Sequence, residues 1–204
     1  ESEIDKIIKV YNLNNNWNKA IIKDIQKFKN KKIKKNSTSR KNLKKLSFVT
    51  IDGEDAKDFD DAVYCERIEK NWKLYVAIAD VAHYVENNSN IDKEAKSRGT
   101  STYFPGYVIP MLPEVLSNDL CSLKPNEDKL TVVAEMIINN NGDIKSYKFY
   151  NAIINSSARL TYAQVEEHFK KKNIFKDKNI INNLDNLYKL YKILRKSREK
   201  RNAV

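Results

Sequence analysis

Apolar positions recur along this chain in two rhythms, and the change of rhythm divides it. From 2 to 11, Ile4, Ile7, Ile8 and Tyr11 share one helical face, with Ser2 and Asp5 in capping-box-like spacing, so a short helix is expected. A second is expected near 17 to 28, where Trp17, Ile21, Ile22, Ile25 and Phe28 repeat at the same period. The following run, K-N-K-K-I-K-K-N-S-T-S-R-K-N-L-K-K, is basic and without apolar period. It reads as an exposed linker or as a phosphate-contacting arm.

From Leu46 the texture changes. L-S-F-V-T-I reads as a strand, and D-A-V-Y-C-E-R-I with W-K-L-Y-V-A-I-A-D-V as paired strands turned at Glu69 to Asn71. Ile91 to Arg98 predicts a helix begun by Asp92 and ended by Gly99. All four prolines, Pro105, Pro110, Pro113 and Pro125, lie within 103 to 125, which predicts a shaped loop path there. Residues 130 to 138 and 144 to 154 predict a hairpin across N-N-N-G-D. Thr161 to Phe169 starts a helix, and Leu184, Leu187, Tyr188, Tyr191 and Leu194 mark a long amphipathic one after it. The expected fold class is α+β, a mixed sheet with flanking helices. Its main domain would occupy 46–204, after a helical and basic region over 1–45.

Composition narrows the class. With 41% hydrophobic residues the chain can bury one ordinary core. No apolar run approaches the roughly 18 residues of a membrane-spanning helix, and E-S-E-I-D-K does not resemble a signal peptide, so a cytoplasmic location is expected. Cys65 and Cys121 stand apart from each other and from any C-x-x-C pattern, and read as buried reduced thiols. The net charge of +11 fits a polyanionic partner such as nucleic acid. It fits equally a chain crowded with Lys, Asn and Ile, as in I-I-N-N-L-D-N-L. The missing initiator Met and the last helix without a stop signal before R-N-A-V suggest a fragment of a larger protein.

One stretch opposes the charge of the rest. Between Asp52 and Asp61, six acids against one lysine give −5, leaving +16 for the remainder of a chain whose total is +11. Carboxylates crowded in this way raise one another's pKa and destabilise a fold unless a cation lies among them, and Mg²⁺ is a natural one. Asp58 and Asp60 would share a face of an extended segment, with Asp61 on the other face unless the chain turns. Asp52 joins them only if Gly53 to Lys57 loops back, which a glycine tolerant of positive φ makes cheap. The pattern of a Ca²⁺-binding EF-hand fails, because a loop starting at Asp58 puts Ala62 and Val63 where a ligand and Gly belong, and a Ca²⁺-binding module is left as a third reading. A solvated acidic loop stays open as an alternative, although Ile51, Phe59, Ala62 and Val63 tie the segment to a core. His83 and His168 share no metal-ligand spacing, so no histidine-based chemistry is indicated. Trp17 and Trp72, each a single large aromatic, are expected to pack in the core.

I-D-G-E-D-A-K-D-F-D-D-A-V closely resembles the catalytic signature of the ribonuclease II and ribonuclease R exoribonuclease family. W-K-L-Y-V-A-I-A-D-V, R-G-T-S-T-Y-F-P-G, V-I-P-M-L-P-E-V-L-S-N-D-L-C-S-L and A-R-L-T-Y resemble further family blocks, in order, over approximately 46 to 204. The wording is nearest to the ribonuclease R branch, and the matched region is the N-terminal half of the catalytic RNB domain. The resemblance implies Mg²⁺-dependent, processive 3′-to-5′ hydrolysis of single-stranded RNA to nucleoside 5′-monophosphates. It places metal ligands at Asp52, Asp58, Asp60 and Asp61, with Asp60 the position on which catalysis depends most. Glu54 and Asp55 match the motif but not the ligand set. Tyr103 matches an aromatic that packs on the base at the RNA 3′ end, and Tyr162 a second RNA-contacting position. Asp80 and Arg98 lie in family blocks and are assigned structural roles. Full-length relatives carry OB-type domains and a second catalytic half with an arginine-rich segment, so the isolated chain is expected to be incompetent. A relative that binds RNA without catalysis is the alternative; decay of the four aspartates would mark it, and all four are present.

Overall fold

The computed structural model describes residues 2–28, 39–171 and 174–203. In chain order the helices and strands are α1 (Glu3–Val10), α2 (Lys19–Phe28), β1 (Lys41–Asn42), β2 (Val49–Asp52), β3 (Asp61–Ile68), β4 (Asn71–Ala79), α3 (Asn90–Arg98), β5 (Thr102–Phe104), β6 (Tyr107–Ile109), β7 (Asp128–Ile138), β8 (Ile144–Asn155), β9 (Ala158–Thr161), α4 (Tyr162–Lys171) and α5 (Lys178–Lys200). They fall into two compact units, the described residues up to 28 with 81–120, and 39–80 with 121–203.

The first unit is mostly helical. The Ser2 hydroxyl accepts from the Asp5 amide while the Asp5 carboxylate accepts from the Ser2 amide, the reciprocal cap the sequence suggests. Ile21 and Phe28 of α2 are buried, and Phe28 meets Tyr84 edge to face at 6.4 Å. At α3 the expected start is corrected: Ser89 caps the helix, accepting from the Asp92 amide, while Asp92 sits in the first turn. Gly99 ends the helix at φ +74, a conformation that only glycine adopts without strain. Trp17 is half-buried rather than in the core, because the Arg98 guanidinium stacks on it at 3.8 Å. Arg98 also bonds Glu94 at 2.9 Å and the Pro110 carbonyl at 2.8 Å, a structural role as expected. The proline-rich path is more regular than expected, since β5 and β6 form an antiparallel hairpin and a π-type turn follows at Leu116–Leu120. None of the prolines lies within those strands, so no ladder donor is lost.

The second unit is a seven-stranded mixed sheet in the order β1-β8-β7-β4-β3-β2-β9. Neighbours from β8 to β2 pair antiparallel, while β1 joins β8 and β9 joins β2 in parallel. The β7–β8 turn is the expected N-N-N-G-D, with the Asn139 side chain accepting from the Asn141 and Asp143 amides, both at 2.9 Å. Gly142 has φ +87, and a Cβ there would come within 2.9 Å of Ser197 on α5. One correction concerns the basic run. Residues 40 to 43 are not a free linker: β1 pairs with β8, Leu43 is buried, and Arg40 is ion-paired with the buried Asp80. The part of that basic run from 29 to 38 lies outside the described residues.

Helix α5 packs along one sheet face. Ile180 and Leu184 join Val49 and Leu160 in one cluster, and Leu190 joins Cys65, Trp72 and Ile138 in another. Each such side chain contributes roughly 1.5–3 kcal/mol by leaving water. The asparagines between them belong to the core. Pairing of β2 with β3 is recorded only at Val49 and Val63, and at Cys65 the edge of β3 is served by side chains instead. The Asn183 side chain accepts from the Cys65 amide at 2.9 Å and donates to the Ser47 and Val63 carbonyls. Asn186 donates to the Cys65 carbonyl at 3.2 Å, so the main-chain groups at this edge are satisfied. Both cysteines are buried and free, with thiols pushed up to about 12, first by burial.

Candidate active site

The acidic stretch is built by two limbs. On the first, Val49 and Ile51 pack into the core and carry Asp52 to the end of β2. The Asp52 carboxylate accepts from the Gly53 amide at 2.7 Å, and a turn closed from the Ala56 amide to the Gly53 carbonyl at 3.3 Å reverses the chain. Glu54 and Asp55 are exposed in this turn. Gly53 does not adopt positive φ, and a Cβ built there meets nothing, so the loop returns without needing glycine's freedom.

The second limb is clamped from two sides. The Ser122 hydroxyl donates to the Lys57 carbonyl at 2.8 Å and accepts from the Phe59 amide at 3.1 Å. Leu123 donates to the Phe59 carbonyl at 2.8 Å, and Ala79 to the Asp60 carbonyl at 2.9 Å. Phe59 is buried, which fixes the flanking Asp58 and Asp60 in place. Residues 56 to 60 are irregular and β3 begins at Asp61, so the alternation expected of an extended segment does not govern them.

The loop thus returns, and its charges feel one another. Burial raises the Asp60 carboxyl above its ordinary value, and Asp58, Asp61 and Asp52 each push it further. Asp61 is likewise raised, first by burial and then by Asp52, against a lowering bond within its own residue. Each residue still reaches water, so these are moderate effects at a rim. Among the described residues no three carboxylate, imidazole or thiol groups stand ready-made as a metal site. The donor set still fits a hard divalent ion: four oxygen-bearing anions whose repulsion such an ion would relieve.

Tyr162 is brought to the same end of the sheet. Asp52 pairs with Thr161 across β2 and β9, and Tyr162 follows Thr161 as the first residue of α4. Thr161 and Gln164 cap that helix reciprocally, at 2.9 and 3.1 Å, and Tyr162 is 63% exposed. Tyr103 belongs to the other unit, on β5 opposite Val108, and is 69% exposed. His168 is buried beside Phe169 and Phe175. One residue of the site went unassigned in the sequence: Arg159 of β9 donates to the Gly53 carbonyl at 2.7 Å and to the Glu54 carbonyl. Its only signal was membership of A-R-L-T-Y.

An acidic loop joining two neighbouring strands at one end of a mixed sheet, with α5 across one face, defines the class. Residues 40–204 match the RNB domain model, and the chain belongs to the RNB family. It is similar to ribonuclease R of Vibrio parahaemolyticus, 44% identical over 200 residues, covering 97% of this chain and 24% of that protein. Against ribonuclease R of Escherichia coli it is 43% identical over 204 residues, covering 98% of this chain and 25% of the relative. Among solved structures it resembles Mycoplasma genitalium RNase R in complex with double-stranded RNA, with TM-score 0.91, 39% identity and coverage of 97% of this chain and 35% of that one. The chain therefore spans about a quarter of the length of the curated relatives it matches.

Proposed function

We propose that the protein containing this chain is a processive, Mg²⁺-dependent 3′-to-5′ exoribonuclease that releases nucleoside 5′-monophosphates from single-stranded RNA in the cytoplasm. The observation that carries this reading is the placement of Asp52, Asp58, Asp60 and Asp61 on the two limbs of one loop whose backbone is clamped from both sides. Asp52, Asp58, Asp60 and Asp61 would hold the metal, which when bound supplies an acidified water and neutralises charge on the scissile phosphate. The clamps at Phe59 and Asp60 fix where the carboxylates start from, so less ordering is left for the moment of binding. Tyr162 and Tyr103 offer exposed rings for base stacking, worth roughly 1–3 kcal/mol per base and indifferent to sequence. The surplus positive charge draws RNA towards carboxylates that would otherwise repel it. Among the described residues no helix is long and apolar enough to cross a membrane. The 204 residues alone are proposed to be inactive.

The test is Asp60→Asn in the full-length protein. RNA binding should stay near wild type while mononucleotide release falls by more than the roughly 10–100-fold typical of losing an outer-shell group. Undiminished release would overturn the assignment.

A further inference from the structure

We propose that Arg159 is a positioning residue for the acidic loop, holding its two limbs in register so that the four aspartates can share a cation. Arg159 stands opposite Thr50 in the parallel pair of β2 and β9, directly below the turn. Its Nη2 reaches the Gly53 carbonyl at 2.7 Å and the Glu54 carbonyl, the two residues that follow Asp52. The same guanidinium lies 5.5 Å from the centre of the Phe59 ring, between Asp58 and Asp60 in sequence. One side chain therefore touches both the limb that leaves Asp52 and the limb that carries the other aspartates.

What Arg159 bonds to matters as much as where it sits. Both hydrogen bonds go to main-chain carbonyls, and among the described residues no ion pair joins it to any of the four aspartates. A guanidinium paired with those carboxylates would neutralise them and compete with a metal. Bonded to carbonyls, it fixes the loop and leaves the four carboxylates free of an ion pair with it. Both bonds leave a single guanidinium nitrogen, so a Lys ammonium could make them too; what Lys lacks is the flat guanidinium beside the Phe59 ring. The second limb has its own anchors in Ser122 and Leu123, so losing Arg159 should loosen the Gly53–Glu54 side selectively.

The inference rests on the metal-binding reading above, and the test separates the two. In the full-length protein, Arg159→Met and Arg159→Lys would be compared with wild type by Mn²⁺ titration followed by electron paramagnetic resonance. Hydrogen exchange at the 53–57 amides and the Mg²⁺ concentration that half-saturates mononucleotide release would be measured alongside. Arg159→Met is expected to weaken Mn²⁺ binding and raise the half-saturating Mg²⁺ by roughly 10–100-fold. Release should recover most of its rate at saturating Mg²⁺, exchange should quicken at 53–57 and not at 58–61, and Arg159→Lys should fall between. Unchanged or tighter Mn²⁺ binding in Arg159→Met overturns the role and leaves the proposed reaction standing. If Arg159→Met does not fold, wild-type Mn²⁺ affinity in the shorter, neutral Arg159→Gln overturns it equally. A wild-type protein that binds Mn²⁺ but releases no mononucleotides removes the reaction while Arg159 is still judged by affinity and exchange. Absence of Mn²⁺ binding in wild type removes both.

Discussion

Glu135 and Asp60 are carboxylates of the same unit, and their surroundings push them in opposite directions. Glu135 is the more buried, at 5% exposure, and burial alone would raise its pKa. It is nevertheless held down to about 2, because the Tyr150 hydroxyl donates to it and Lys73 and Lys148 lie at 3.1 and 3.2 Å, with Lys41 at 3.4 Å. Asp60 sits at the rim and is raised, first by the burial of its carboxyl and then by its neighbours Asp58, Asp61 and Asp52. A carboxylate whose charge is answered by lysines serves the fold. One surrounded by its own kind costs the fold something, and a bound cation removes that cost.

The largest effect that would break this contrast is at Glu135. Replacing it with Gln leaves three lysines around a neutral group, and unfolding in urea should show a loss of about 2–3 kcal/mol. That is below the 3–5 kcal/mol of fully buried pairs, since Lys41 and Lys148 reach solvent. The pH dependence follows from the same shift. Glu135's folded pKa lies below its ordinary 4.5, so its contribution is present above that value and is lost as pH falls towards about 2. The acid limb of a stability profile should therefore flatten over that range in Glu135→Gln.

A smaller effect sharpens the other half. Mg²⁺ at about ten times its dissociation constant should stabilise wild type by about 1.4 kcal/mol in thermal unfolding, and Asp60→Asn by clearly less. Equal stabilisation would mean that the ion binds elsewhere.

Smallest of all is the change expected without metal. The Asp60 pKa is raised, so any stabilising contribution is present below the ordinary aspartate value and lost as pH rises through the raised one. In chelator at neutral pH, Asp60→Asn should melt about 2 °C higher than wild type, the scale of 0.5–1 kcal/mol in a chain of this size. The gain should vanish in acid. A variant that is less stable at neutral pH would show that the rim carboxylates are compensated in some other way.

Much of this was readable from local pattern. β3 spans Asp61–Ile68, the quoted D-A-V-Y-C-E-R-I, and the β7–β8 hairpin turns at N-N-N-G-D, because alternation and turn chemistry act within a few residues. The reciprocal cap of Ser2 and Asp5 is local for the same reason. Failures came where a partner is remote in sequence. I-I-N-N-L-D-N-L looked like compositional drift, yet Asn183 and Asn186 satisfy the backbone of Cys65 some 120 positions earlier. Arg40 looked like part of a linker and is paired with Asp80. Gly53 was expected to make the loop cheap through positive φ, but the return is enforced by strand pairing at Val49 and Val63 and by Ser122.

The sequence by itself determined the longer helices and strands, that six acids crowd between Asp52 and Asp61, and which family blocks surround them, since each is a property of neighbours along the chain. Tertiary structure alone decided that Asp60 and Glu135 differ in kind. An isolated carboxylate has one ordinary pKa, and what moves it is the charge and water that folding places beside it. The same holds for Arg159, whose guanidinium becomes part of the acidic loop only because β9 lies alongside β2.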